Sequence, residues 1–138
     1  MVTLSRTIPA LPVRDATVAA VYYRDRLGFA TLHHDGGFAI VARDDAVIHL
    51  WEASDESWRE RDSMEDPVRS GAESFIAGTA SCRVEVEGVD ELYAEFAAND
   101  VLHYADSGSA VDTDFGTREF ATTDQDNNLI TFFHRTLP

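Results

Sequence analysis

Apolar and polar residues alternate most clearly near the C-terminal end. Two runs rich in β-branched and aromatic residues, Arg118–Thr123 and Asn128–Phe133, flank Asp124-Gln125-Asp126-Asn127. Asp and Asn bond their own backbone and tolerate left-handed geometry, so the centre is turn chemistry and the segment predicts a β-hairpin. A period of two puts Leu129, Thr131 and Phe133 on one face, and Ile130 and Phe132 on the other. Earlier, Phe29–His34, Phe38–Arg43 and Ala46–Trp51 read as three short strands, separated by Asp35-Gly36-Gly37 and Asp44-Asp45. Ahead of them Asp15 is a good N-cap, Val18, Val21 and Tyr22 mark a helix face, and Gly28 stands in the C′ position. Thr7–Val13 is extended, but Pro9 and Pro12 cannot donate ladder bonds, which predicts an edge or exchanged strand.

The order then repeats. Ser81–Val86 alternates as a strand, and Asp90 is expected to cap a helix carrying Leu92, Tyr93, Phe96 and Ala97. A strand near Leu102–Ala105, a Gly/Ser/Asp loop over Asp106–Asp114 and the hairpin complete it. The chain is therefore expected to be α+β, one domain of two βαβββ modules (about 5–52 and 80–135) pairing into one curved mixed sheet with a cleft. Between them lies an acidic stretch, 53–79, with Trp58, Met64 and Phe75 among its charges. A connection this long in a small domain is functional or partly disordered.

Composition narrows the reading. A hydrophobic share of 44% in 138 residues supports one sizeable core and argues against wholesale disorder. No apolar run approaches the roughly 18 residues a membrane span needs, and the N-terminus carries no signal-peptide pattern. The one cysteine, Cys82, excludes an intrachain disulfide, fits a reducing cytoplasm, and reads as a small buried hydrophobe. The formal net charge is −14, and all eleven basic side chains are Arg. Such a field opposes nucleic acid and anionic membranes and favours cationic ligands.

Little enzymatic chemistry is legible. His33 and His34 are neighbours in a strand, so their side chains diverge and cannot share a metal. His103 and His134 read as surface residues. There is no Gly-x-Ser-x-Gly elbow and no phosphate-binding glycine loop, and Asp124 and Asp126 are explained by their turn.

Three stretches carry a family resemblance: Arg24-Asp25-Arg26-Leu27-Gly28-Phe29, Gly88-Val89-Asp90-Glu91-Leu92-Tyr93-Ala94-Glu95, and Phe115-Gly116-Thr117-Arg118-Glu119-Phe120 with Asp124-Gln125-Asp126-Asn127-Asn128. Together they resemble the vicinal oxygen chelate superfamily, and within it the glyoxalase/bleomycin resistance protein-like branch. Here Phe115 replaces the hairpin Trp, Gln125 a Pro and Asn127 a Gly. Metal-using members hold their ion at four strand positions, which match Ile8, His49, Ser81 and Thr131. Only His49 offers a useful donor, and one imidazole with two hydroxyls does not hold a divalent ion.

The resemblance therefore implies a non-catalytic protein without metal or cofactor. It would sequester an antibiotic-like cationic or aromatic molecule in a cleft at a homodimer interface, the N-terminal strand being open to exchange between subunits. The ligand-binding residues expected are Phe38, His49, Trp51, Trp58, Glu85, Phe115, Thr131 and Phe133, through ring stacking and carboxylate–amine contacts. A metal-dependent lyase or dioxygenase of the same superfamily, with His49 and Glu52 or Glu85 as ligands, is the alternative. A protein whose cleft serves only an interaction role is the third.

Overall fold

Each copy of the repeat folds as strand, helix and three strands. The first runs β1 (Ala10–Val13), α1 (Ala16–Leu27), β2 (Ala30–Asp35), β3 (Phe38–Arg43) and β4 (Ala46–Glu52). The second runs β5 (Ser81–Glu85), α2 (Val89–Ala98), β6 (Val111–Asp112), β7 (Thr117–Thr123) and β8 (Leu129–Arg135). The computed structural model describes residues 1–53 and 77–137. Trp58, Met64 and Phe75, and with them most of the acidic connection, lie outside the described residues.

The α+β class and the paired modules are as expected, but the sheet is divided. Strand order is β1-β4-β3-β2 in one four-stranded sheet and β5-β8-β7-β6 in the other. Both are mixed: β1 lies parallel to β4 and β5 parallel to β8, while the remaining pairs are antiparallel. β1 is an edge strand on its own chain. Prolines are tolerated there because one side of the strand needs no ladder donor.

One core joins the modules, drawing Leu11, Val41 and Leu50 from the first sheet and Ile130 and Phe132 from the second. On α1 the expected face is displaced. Val18 and Val21 are exposed, and the helix buries Ala16, Ala19, Ala20, Tyr23 and Leu27 instead. Small Ala residues at three- and four-residue spacing let the helix axis approach the sheet closely, which a search for bulky residues overlooks. Asp15 caps α1 as expected, its Oδ1 accepting from the Val18 N–H at 3.0 Å. Gly28 ends it at φ +77°, where a side chain would be strained and a Cβ would stand 2.8 Å from Arg43 Nη1.

Two features of the second module differ from expectation. Gly88, not Asp90, occupies the N-cap of α2, at φ 83°. Asp90 lies in the first turn, where its charge suits the helix dipole, and it holds Arg118 at 2.9 Å. The strand expected near Leu102–Ala105 shrinks to one bridge, Leu102 with Thr122. Asp106 causes the departure: its N–H closes a turn on His103 O, and its Oδ2 accepts from Gly108 N and the Tyr93 hydroxyl. The third strand forms later, at Val111–Asp112, inside the stretch that reads as loop.

The hairpin turn also locks the modules together. Asp124 Oδ1 accepts from the backbone N–H groups of Asp126 and Asn128, both at 2.9 Å. Its Oδ2 accepts from the Tyr23 hydroxyl of α1 at 2.8 Å and from Asn128 Nδ2 at 2.9 Å. Asn128 Nδ2 also donates to Pro12 O at 2.8 Å, so β1, α1 and the turn share one buried polar knot. At the helix exits Arg26 Nε donates to Asn99 O at 2.8 Å and Asn99 Nδ2 returns a bond to Arg26 O at 2.9 Å.

Candidate functional site

The alternation that buries Ala39, Val41, Ile48 and Leu50 in the core turns Phe38, Ile40, Val47, His49 and Trp51 to the other face of the first sheet. These residues are half-buried. Register sets Phe38 across from Trp51 and Ile40 across from His49. The Phe38 ring, on the middle of three strands, meets His49 edge-on at 5.1 Å and His33 at 6.0 Å. Of the adjacent histidines only His33 joins this face, where it also reaches Asp35 at 3.2 Å. His34 diverges as expected and meets Thr17 of α1 at 2.9 Å.

On the second sheet the open face carries Leu129, Thr131 and Phe133 of β8, with Arg83 and Glu85 of β5 and Glu119 of β7 beside them. β5 is an edge strand, and from it Arg83 reaches across β8 to β7. Its guanidinium carbon lies 4.8 Å from the Phe133 ring centre, and Nη2 meets Glu119 Oε2 at 2.6 Å. Glu119 Oε2 accepts a second bond from Thr117 Oγ1 at 2.9 Å. Bonding to Arg83 holds the Glu119 carboxyl below the usual carboxylate range. Glu85 points its charge to Arg135 at 2.7 Å. Sequence reasoning missed Glu119. The signal was present, since hairpin register sets Glu119 opposite Phe133.

Among the described residues no hydrogen bond, ion pair or ring contact joins these two patches. Both sheets turn their other faces into the shared core, so the open faces point away from it. One chain thus brings Phe38, His49 and Trp51 together, and separately Glu85, Thr131 and Phe133. Phe115 joins neither patch through a ring contact among the described residues; it lies between β6 and β7, 64% exposed. Trp58 lies outside the described residues.

A groove of about 580 Å³ separates the β3–β4 turn from the start of α2, lined by Asp44, Asp45, Glu85, Glu87, Glu91 and Glu95 among others. Six acidic residues thus line it, with Arg43 among them, and part of the net negative charge lies between the modules. A smaller cavity of about 150 Å³ lies against β7, with His103, Asp106, Val111, Glu119 and Ala121 in its wall.

Four positions match the metal-ligand positions that the family resemblance implies: Ile8, His49, Ser81 and Thr131. His49 faces Phe38, Ser81 pairs across from Leu129 and Thr131 across from Arg83, so an imidazole and two hydroxyls on different sheets are all that the four positions offer. No group of three His, Cys, Asp or Glu side chains among the described residues is close enough to hold an ion. Cys82 is half-buried in β5. Burial, with the Asp124 charge adding to it, pushes its thiol up to about 11, which leaves almost no thiolate at neutral pH.

No family model matches the chain. Whole-chain comparison does find relatives. The bleomycin resistance protein of Geobacillus stearothermophilus is 52% identical over 130 residues, covering 94% of this chain and 96% of that one. The bleomycin resistance protein of Staphylococcus aureus is related to the same degree. Among solved structures, the bleomycin-binding protein of Streptomyces verticillus in complex with copper(II)-bleomycin superposes with a TM-score of 0.70 at 26% identity, over 96% of this chain and 97% of that one. Lactoylglutathione lyase from Agrobacterium tumefaciens shares the fold, with a TM-score of 0.69 at 18% identity over 95% of this chain and 94% of that one. No described helix is long and apolar enough to cross a membrane.

Proposed function

The chain belongs to the bleomycin resistance protein family, and from that premise we propose that it binds bleomycin or a closely related cationic, aromatic antibiotic and so withholds it from its target. Kinship along nearly the whole chain is the observation that carries this reading. The geometry supports it: the exposed chemistry is rings and carboxylates, which suit a planar, positively charged molecule. Binding alone lowers the free drug, so neither bond cleavage, a cofactor nor a metal is needed, and the protein acts in the cytoplasm.

The ligand cleft is completed in a homodimer. Two half-sites that face away from a common core make one cleft only when a second copy supplies one of them. Phe38, His49 and Trp51 of one subunit then face Glu85, Thr131 and Phe133 of the partner, with Phe115 at the margin. Exchange of the segment before β1 between subunits suits its exposure, since Met1, Val2 and Leu4 are all more than 90% exposed.

Calorimetric titration with bleomycin and with copper(II)-bleomycin tests the proposal. Saturable binding is expected, with the drug recovered chemically unchanged. Replacing Phe38→Ala and Phe115→Ala together should weaken it by about 2–4 kcal/mol, the range of ring truncations at interface hot spots. Absence of binding in the unmodified protein sinks the function, and full affinity in the double variant sinks the placement of the cleft.

A further inference from the structure

We propose that Glu119 reads the positive charge of the ligand and that Arg83 is a built-in competitor for it, a specificity device that rests on the binding function above. A carboxylate beside an aromatic face is a receptor for an amine or guanidine, and here the chain fills it with its own guanidinium. Arg83 lies over Phe133 at 4.8 Å and on Glu119 at 2.6 Å, the two contacts an incoming cation would seek.

The two partners differ in how firmly they are held. The Glu119 side chain is 17% exposed and stays anchored through Thr117 Oγ1 when Arg83 departs. Thr117 is itself buried and bonded to Thr113 Oγ1 at 2.8 Å. Arg83 stands on an edge strand with 46% of its side chain exposed, and Glu119 is its one ion-pair partner among the described residues. Swinging it into solvent costs one half-exposed ion pair and one ring contact. The cavity of about 150 Å³ beside Glu119 then offers room for an amine or guanidine group, with Asp106 in its wall.

An exchange of this kind sets a threshold. A ligand cation gains Glu119 and Phe133 only to the extent that it outbids Arg83, so neutral aromatic molecules, which have nothing to offer the carboxylate, leave the pair closed. Removing Arg83 should therefore strengthen cation binding, whereas an arginine that touched the ligand directly would weaken it on removal.

The test compares the full chain with Arg83→Gln, Arg83→Met and Glu119→Gln, each checked for folding by thermal melting. Benzamidine and its neutral, equally shaped counterpart benzamide are titrated by NMR, and bleomycin is titrated in parallel. Both Arg83 variants should bind benzamidine about two- to fivefold more tightly than the unmodified protein, as the modest strength of half-exposed ion pairs dictates. Glu119→Gln should bind it more weakly, and benzamide should bind all four forms alike. Benzamidine affinity that is unchanged or reduced by both Arg83 substitutions overturns the exchange, even where bleomycin still binds. The expected benzamidine order without any bleomycin binding upholds the exchange and overturns the proposed function.

Discussion

Asp124 shows how much one side chain can hold. Its carboxylate is almost fully buried and accepts four hydrogen bonds, two from its own turn, one from Tyr23 and one from Asn128. Desolvation raises its pKa, because burial disfavours the charged form more than the bonds to Asn128 and Tyr23 favour it. Removing the charge would relieve that cost, but Asp124→Asn replaces an acceptor oxygen with a donor facing Asn128 Nδ2. Turning the amide over only moves the conflict to the two backbone N–H groups. The substitution should lower stability by about 1–3 kcal/mol, the cost of a buried polar group left without its partner. Tyr23→Phe, which removes a single bond, should cost less, about 1 kcal/mol. Urea unfolding of the two variants measures the difference, and equal losses would show that the turn does not depend on the carboxylate.

At the level of elements, the two helices are tied across the modules by Arg43 at the end of β3, whose Nη1 donates to Leu27 O of α1 at 2.9 Å and to Glu95 Oε2 of α2 at 2.7 Å. Hydrogen bonding to Arg43 lowers the Glu95 pKa, so this pair stabilises the fold fully above the unfolded value of 4.5 and loses that contribution as pH falls through the lowered folded value. The Glu95 side chain is 42% exposed, so solvent screening keeps the effect to about 0.2–1 kcal/mol. Glu95→Gln should accordingly be less stable than the unmodified protein at pH 6, with the gap closing towards pH 3; a gap independent of pH would remove the ion pair from the account. Elements with strong local signals were legible in the sequence: the β7–β8 hairpin through its Asx turn, α1 through Asp15 and Gly28, and β3 and β4 through strict alternation. Elements decided by tertiary contact were not. The buried face of α1 is built from alanines that carry little hydrophobic weight, and the strand expected after α2 gives way to an Asp106 turn secured by Tyr93 from another element. The aromatic half of the candidate site followed from period two. The capture of Arg83 by Glu119 did not, because an ion pair across three strands depends on sheet order as well as on alternation.

For the molecule as a whole, the proposed cleft depends on assembly. If the segment before β1 crosses to a partner, deleting residues 1–9 should convert dimer to monomer in sedimentation velocity and weaken bleomycin binding with it. A truncated protein that stays dimeric would put the contact elsewhere. The net charge is strongly negative, and among the described residues Arg24, Arg43, Arg83, Arg118 and Arg135 each engage a carboxylate. Cys82 has a further consequence. It is the chain's one thiol, lies on β5 across from Ile130 in the ladder that holds the second sheet together, and is kept protonated there. Half-burial and protonation both slow reagents that attack thiolates, so the pace of alkylation at this atom should quicken whenever that ladder loosens. A ligand that clamps the β8 face would slow it.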